Sequence, residues 1–281
     1  GRLLGDEACA AFARRCARSI TPEHVTADRT FDVVRGSAGT VLSLLAAHAA
    51  TSDPHLLELA ACCGRHLLAA AVQTNDGPVW PSRGRRAYIG LAHGTMGVAL
   101  ALLRLSEATG EDTFRHAGAR AVESVLRAQD SASGQWPLLH RADGAQEPAR
   151  TMAAWCHGAP GIALGLAGAF DVLRDGALLG PLVEGLNAIA RASAHPTEHL
   201  CCGNMGRAEA LLTVGSLLGR PGPQDAARRI GLETLARAVR RGHVRLSPGG
   251  FEYSVFDPGF FRGLSGVGYQ LLRLAAPSDL P

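Results

Sequence analysis

The stretch Ile89-Gly-Leu-Ala-His-Gly-Thr-Met-Gly-Val-Ala-Leu-Ala-Leu-Leu, which ends at residue 103, decides the fold because its pattern recurs along the chain. A Gly-x-x-Gly step precedes an apolar run of helical length, and the copies are spaced by roughly fifty residues. An apolar run without a polar face predicts a buried helix, so each copy is expected to begin one inner helix. The five glycine pairs are Gly36/Gly39, Gly94/Gly97, Gly158/Gly161, Gly203/Gly206 and Gly263/Gly266.

Amphipathic stretches alternate with these apolar runs. Their apolar residues recur at i, i+3, i+4 and i+7, with arginine and glutamate on the opposite side, which predicts outer helices. We therefore predict an all-α fold of concentric inner and outer helices, with about five helical hairpins and little β-structure. The predicted outer helices are Asp53–Ala71, Asp112–Ala128, Leu178–Ala194 and Pro223–Arg241.

Composition excludes several classes of function. The chain has 281 residues, of which 47% are hydrophobic, and this is ample for one large core. A net charge of +3 with 19% charged residues lacks the dense basic surface of a nucleic-acid-binding protein. The apolar runs are short and interrupted, so we expect no membrane span and a cytoplasmic location.

Seven cysteines form an odd set without regular spacing, which favours metal or catalytic groups over disulfides. Cys156, Cys201 and Cys202 stand at the heads of predicted inner helices, so the fold should bring them together. Three thiolates are soft ligands that suit Zn²⁺, and a three-residue ligand set leaves the open position of a catalytic site. The alternatives are a closed structural site, completed by His157 or His199, and plain buried thiols. The other four cysteines are expected to be structural: Cys9, Cys16, Cys62 and Cys63.

Four segments resemble the lanthipeptide cyclase family, the LanC-like proteins. They are Gly90-Leu-Ala-His-Gly, Trp155-Cys-His-Gly, Cys201-Cys-Gly-Asn and the C-terminal run from Pro258 to Ala275. Matching sequence extends from about Phe31 to the C-terminus in the family's order. The double cysteine is most similar to the C-terminal cyclase domain of class II lanthipeptide synthetases, which also carry an N-terminal dehydratase.

The resemblance implies an α/α toroid that holds Zn²⁺ as its cofactor. It implies Michael-type addition of peptide cysteine thiols to dehydroalanine or dehydrobutyrine, which forms the (methyl)lanthionine thioether rings of lantibiotics. By motif, Cys156, Cys201 and Cys202 become the metal ligands, while His93 and Asp32 become catalytic residues. The expected partners are a dehydrated precursor peptide with its leader and a dehydratase, fused or separate.

Residues 1–281 are expected to form one LanC-like cyclase domain. The family has about seven helical hairpins, whereas this sequence shows five, and the hairpins before Phe31 and any dehydratase domain are not evident. Two interpretations follow: the chain is a fragment of a larger synthetase, or it is a shortened homologue.

Each candidate residue has an alternative role. His93 can protonate the enolate or take the proton of the incoming thiol, and the alternative is a buried structural histidine. Asp32 can orient His93 or simply cap a helix. His157, Arg35 and Arg262 occupy equivalent helix heads and are candidate substrate-binding residues, with packing or solvated surface roles as alternatives.

Two other functions compete with the cyclase. One is a non-catalytic, zinc-containing LanC-like module that binds a peptide or a thiol. The other is a carbohydrate-active α/α toroid, which is disfavoured because it would need paired carboxylates and Asp32 is the only acid at the helix heads.

Overall fold

The computed structural model describes residues 7–82, 86–140, 150–247 and 256–277, and this part of the chain is mainly helical. A short antiparallel hairpin, β1 (Val72–Thr74) and β2 (Gly77–Val79), interrupts the helices. No helix in the described segments is both long enough and apolar enough to cross a membrane. The helices are α1 (Glu7–Arg18), α2 (Pro22–Ala27), α3 (Ser37–Thr51), α4 (Pro54–Ala70), α5 (Thr95–Thr109), α6 (Asp112–Arg127), α7 (Ala159–Leu173), α8 (Leu179–Arg191), α9 (Asn204–Leu217), α10 (Pro221–Arg241) and α11 (Leu264–Ala275).

The first glycine of each pair stands where an inner helix begins, as predicted. It is the N-cap residue of four of these helices, and the fifth, α7, starts directly after Gly158. A glycine N-cap lets the chain turn sharply into the helix; Gly94, with φ 146°, has a backbone conformation that side-chain-bearing residues rarely adopt.

The second glycine lies in the first turn of its helix and allows a close backbone contact. A Cβ atom at Gly97 would overlap the carbonyl oxygen of Leu91, six residues earlier. The same relation recurs in three other repeats, where the glycine and carbonyl pairs are Gly39 with Val33, Gly206 with Leu200, and Gly266 with Phe260. The turn before each inner helix is therefore folded back against that helix.

Contacts divide the chain into two compact units. The first comprises residues 1–128, 139–145 and 168–174, and here α3 packs on α4, α5 packs on α6, and α5 also contacts α3 and α4. The apolar α5 carries much of this core: Met96, Leu102 and Leu105 are all fully buried.

The second unit comprises residues 129–138, 146–167 and 175–281. Its helix α9 packs against α8, α10 and α11, and Met205 forms a core cluster with Leu200 and Val267. Both units place an apolar helix among amphipathic ones, and α4, α6, α8 and α10 match the predicted outer helices to within a few residues at each end.

Two helices before Phe31 and the β-hairpin were not anticipated from the sequence. Helix α1 packs on α3 and the six-residue α2 packs on α4. Asp53 connects α1 to this region because its carboxylate accepts hydrogen bonds from the Arg18 guanidinium, at 2.6 and 3.0 Å.

A buried carboxylate, Glu198, fixes the chain just ahead of α9. Arg237 of α10 donates to both of its oxygens, at 2.8 and 3.2 Å, and the Asn204 amide donates at 2.7 Å. Burial alone would raise the pKa of Glu198, but the Arg237 hydrogen bonds and two uncharged donors outweigh burial, so the pKa lies below its ordinary value.

We predict opposite effects of adding one methyl group at two glycines of α11. Gly266→Ala should lower the free energy of unfolding by about 2 kcal/mol or more, because the new Cβ collides with backbone that cannot move aside. Gly268→Ala should raise it by roughly 0.5–1 kcal/mol, because Gly268 is exposed with open space around it and alanine favours helix. Urea denaturation of both variants measures the difference, and equal effects would contradict the proposed contact.

Glu198→Gln should destabilise the protein by about 2–3 kcal/mol at pH 7, because it leaves the Arg237 cation without its buried partner. A carboxyl whose pKa is depressed by folding adds stability above its unfolded pKa of about 4.3, and loses it as pH falls through the folded pKa. The difference between wild type and variant should therefore shrink in acid. The control Glu123→Gln removes an exposed ion pair with Arg127 and should cost less than about 0.5 kcal/mol. A Glu198→Gln effect that is independent of pH would contradict the ionic role of Glu198.

Candidate functional site

Three cysteine sulfurs meet in the second unit. Cys156 is buried and Cys201 and Cys202 are partly buried, and their Sγ atoms all lie within 4.8 Å of one another. The Cys202 sulfur lies 3.4 Å from that of Cys156 and 3.5 Å from that of Cys201. A disulfide would need about 2.05 Å, so these are three separate thiols facing a common point.

Backbone hydrogen bonds between equivalent turns bring the sulfurs together. The Cys156 N–H donates to the Cys201 carbonyl at 3.1 Å, and the Cys201 N–H donates to the Phe261 carbonyl at 2.8 Å. These three residues occupy the same place in successive repeats, two positions before the first glycine of each pair. The Trp155 and Phe261 rings also stack, with centroids 4.6 Å apart. The repeat therefore sets the spacing of the cysteines.

The three thiols differ in pKa. Hydrogen bonds with Cys156 and, to a smaller extent, with Cys201 lower the pKa of the Cys202 thiol. Hydrogen bonds with Cys201 and Cys202 raise the pKa of the Cys156 thiol. The Arg262 charge further lowers the pKa of Cys202. Cys202 also directly precedes the N-cap residue of α9, and the positive end of a helix favours an anionic sulfur there.

The three sulfurs fit a zinc ion. Zinc–sulfur bonds of about 2.3 Å in a tetrahedral site would place the ligand sulfurs about 3.8 Å apart, close to the separations observed. Among the described residues, no histidine, aspartate or glutamate joins the three sulfurs to complete a group of four. The donor set thus offers three soft ligands and no fourth protein ligand from this part of the chain, which differs from a closed structural site.

His199 supports the double cysteine instead of extending the ligand set. Its Nδ1 accepts the Cys202 N–H at 3.2 Å, so the ring proton belongs on Nε2. Burial lowers the pKa of His199, which keeps the ring neutral. Asn204, at the start of α9, bonds the backbone of His195 and Thr197 and so holds the turn that leads to Cys201.

Asp32 and His93 form a pair in the first unit. The His93 Nδ1 lies 2.8 Å from Asp32 Oδ2, and the His93 side chain is 33% exposed. The other carboxylate oxygen of Asp32 accepts the backbone N–H groups of Val34 and Arg35, at 3.0 and 2.7 Å. One oxygen of Asp32 therefore accepts hydrogen bonds in the turn before α3, while the other lies within hydrogen-bond distance of His93.

The three candidate substrate-binding residues lie near these groups. His157 is half-buried beside Cys156, and Arg262 is exposed and close enough to affect the cysteines electrostatically. Arg35 is exposed beside Asp32 and lines a cavity of about 320 Å³ together with His24 and Asp28.

Sequence reasoning missed the supporting residues of the cysteine site. Glu198 and Arg237 are far apart in sequence, and neither belongs to the repeat. Arg207 donates from Nε to the Ala153 carbonyl at 2.8 Å and from Nη1 to the Ser193 carbonyl, which ties α9 to the turn before Cys156. The one available signal was the polar Glu-His pair at residues 198–199, directly before a double cysteine.

Solved structures with the same fold include one titled nisin cyclase. That structure is 18% identical, with a TM-score of 0.70 over 96% of this chain and 69% of that chain. D-mannose isomerase is 14% identical, with a TM-score of 0.60 over 88% of this chain and 71% of that chain. A family 76 glycoside hydrolase from a bovine Bacteroides thetaiotaomicron strain is 12% identical, with a TM-score of 0.54 over 70% and 46%. At these identities the likeness concerns the fold, and it confirms the predicted all-α, α/α toroid class.

Family membership rests on the sequence itself. A search of the curated proteins found no match for this sequence. A family model described as lanthionine synthetase C-like protein matches residues 2–281, and the resemblance inferred from the glycine and cysteine motifs is confirmed. The chain belongs to the lanthionine synthetase C-like family.

Proposed function

We propose that this protein is a zinc-dependent lanthionine-forming cyclase that acts on a dehydrated precursor peptide. The observation that carries the proposal is the convergence of three cysteine sulfurs, from two helix heads, in a chain of the LanC-like family. A three-thiolate site with a position left for a substrate thiol suits carbon–sulfur bond formation better than a structural role does.

Cys156, Cys201 and Cys202 would hold the metal through their sulfurs. Zinc bound there would keep a substrate thiol deprotonated at neutral pH, although a free thiol has a pKa of about 8.5. Three anionic protein ligands make the site electron-rich and help to keep the substrate sulfur nucleophilic. Arg262, whose charge already acts on Cys201 and Cys202, would offset part of the accumulated negative charge.

The reaction needs one proton at a defined carbon. The thiolate sulfur adds to the β-carbon of dehydroalanine or dehydrobutyrine, the π electrons move onto the adjacent carbonyl, and the α-carbon of the enolate then takes up a proton. The proton lost by the thiol balances the proton gained at carbon, so the ring is an isomer of the linear peptide. We assign this proton transfer to His93, because histidine is the side chain best suited to acid–base chemistry near neutral pH.

Asp32 acts through His93. Its carboxylate fixes the ring orientation through Nδ1 and stabilises the protonated imidazole. Because the second oxygen of Asp32 is held by two backbone N–H groups, the carboxylate is itself rigid. His157, Arg35 and Arg262 are proposed to contact the peptide, since each stands at a helix head beside one of the two groups.

The substrate must already contain a dehydro amino acid. A dehydratase, fused or separate, is therefore the proposed source of the peptide, and it would remove water from serine or threonine before this chain acts. We further propose that the reaction takes place in the cytoplasm, on a precursor that still carries its leader.

His93→Asn should lower the cyclisation rate roughly 10²–10⁴-fold without loss of zinc, because it removes proton transfer and leaves the thiolates intact. The assay uses a peptide with one cysteine and one dehydroalanine, and it measures the loss of free thiol over time by trapping the remaining thiol with N-ethylmaleimide. The rate measured without protein is subtracted as background. Substrate and ring have the same mass, so the trapped fraction reports ring formation directly.

Two cysteine variants distinguish loss of the metal from loss of proton transfer. Cys201→Ala should lose both zinc and activity, whereas Cys62→Ala, a change at another cysteine, should retain both. A wild-type rate for His93→Asn would show that another group transfers the proton. If the wild type binds the peptide and zinc but never accelerates ring formation, the chain is the non-catalytic binding module instead.

A further inference from the structure

A cavity of about 190 Å³ opens in the second unit, among α8, α9 and α10. Apolar side chains such as Ile189, Leu211 and Ile230 line part of it. Three arginines, Arg207, Arg229 and Arg237, and a single acid, Glu233, supply the charges of the lining. A small hollow with apolar walls and convergent cations has the composition of a site for an anionic group.

Arg207 is the unusual member of this set because its charge is buried without an acidic partner. Only 6% of the residue is exposed, and its two hydrogen bonds from the guanidinium go to backbone carbonyls, those of Ala153 and Ser193. No carboxylate among the described residues forms an ion pair with it. Burial of this cation lowers the pKa of Arg207, because removal from water disfavours the charged form.

Arg229 and Arg237 differ in how they are held. Arg229 is exposed and has no hydrogen bond or ion pair within the described segments. Arg237 is paired with Glu198 at 2.8 Å and with Glu233 at 3.5 Å. The lining stays net positive even when buried Glu198 is counted, because two of its three arginines have no carboxylate partner among the residues that the structure describes.

The positively charged surface of the cavity extends beyond Arg229 into a neighbouring hollow. A second hollow of about 510 Å³ lies alongside and shares Ala190, Ala226 and Arg229 with the first. Arg220, the N-cap residue of α10, also lines this second hollow. Arg229 thus stands where two hollows meet, and an anionic group placed there would face cations on both sides.

We propose that the cavity among α8, α9 and α10 binds an oxyanion, either a carboxylate or a phosphate, through Arg207 and Arg229. Both arginines present planar forks that match two oxygens of such a group. The bound anion supplies the counter-charge that Arg207 lacks, and the burial of Arg207 strengthens the pairing on that side of the cavity. This site is formed without the three cysteines and does not depend on the cyclase activity.

The test is calorimetric titration of the full chain at low salt, with inorganic phosphate in one arm and N-acetyl-glutamate α-amide in the other. We expect saturable binding of one or both, and the tighter ligand identifies the source of the oxyanion. Arg229→Ala should weaken binding roughly tenfold, because it removes a charge-assisted contact. Glu233→Gln should tighten binding several-fold, because it removes the one negative charge on the lining.

Arg228→Ala is the matched control. It removes the same charge from the neighbouring position of α10, where Arg228 pairs with Asp225 and does not line the cavity. Binding should change by less than about twofold. The proposal is overturned if neither ligand binds saturably, if Arg228→Ala weakens binding as much as Arg229→Ala, or if Glu233→Gln weakens it. If the Arg207→Met variant folds, it should bind the anion more weakly than Arg229→Ala does. If Arg207→Met does not fold, the comparison of Arg229→Ala with Arg228→Ala is the deciding result.

Discussion

A close contact between the second glycine of a repeat and the carbonyl oxygen six residues earlier positions the turns that lead into four of the inner helices. It is made at Gly39, Gly97, Gly206 and Gly266, and at each of them a Cβ atom would overlap that oxygen. The contact folds the preceding turn against the head of its helix, so the turn has one defined position. In these four repeats, the residues just before the first glycine, among them His93 and Cys202, lie in a turn that this backbone contact positions.

The candidate metal site follows from that placement. Neighbouring turns of the second unit join through hydrogen bonds between Cys156 and Cys201 and between Cys201 and Phe261. The three sulfurs consequently lie close together. The buried Glu198–Arg237 pair and Asn204 stabilise the turn that carries the double cysteine. Support of this kind would hold the three sulfurs in a fixed arrangement around a bound metal ion.

The structural features that belong to the repeat could be predicted from the sequence. The inner helices, the outer helices and the meeting of Cys156 with Cys201 and Cys202 follow from equivalent positions in a periodic pattern. Asp32, which lies beside His93, is identified through the family resemblance and not through the period. Features outside the period were missed: α1, α2 and the β-hairpin lack the Gly-x-x-Gly signal, and α2 is only six residues long. The Glu198–Arg237 pair joins residues 39 apart in sequence, and a charge looks the same in sequence whether it is buried or exposed.

X-ray absorption at the zinc edge of protein purified without a histidine tag or added metal measures the number and type of zinc ligands. We expect one zinc per chain with three protein sulfurs at about 2.3 Å and one further ligand, which becomes a fourth sulfur when a cysteine-containing peptide is added. The zinc signal should be lost in Cys201→Ala. A zinc with two or fewer sulfur ligands, or with a nitrogen-dominated shell, would show that the three cysteines do not form the metal site.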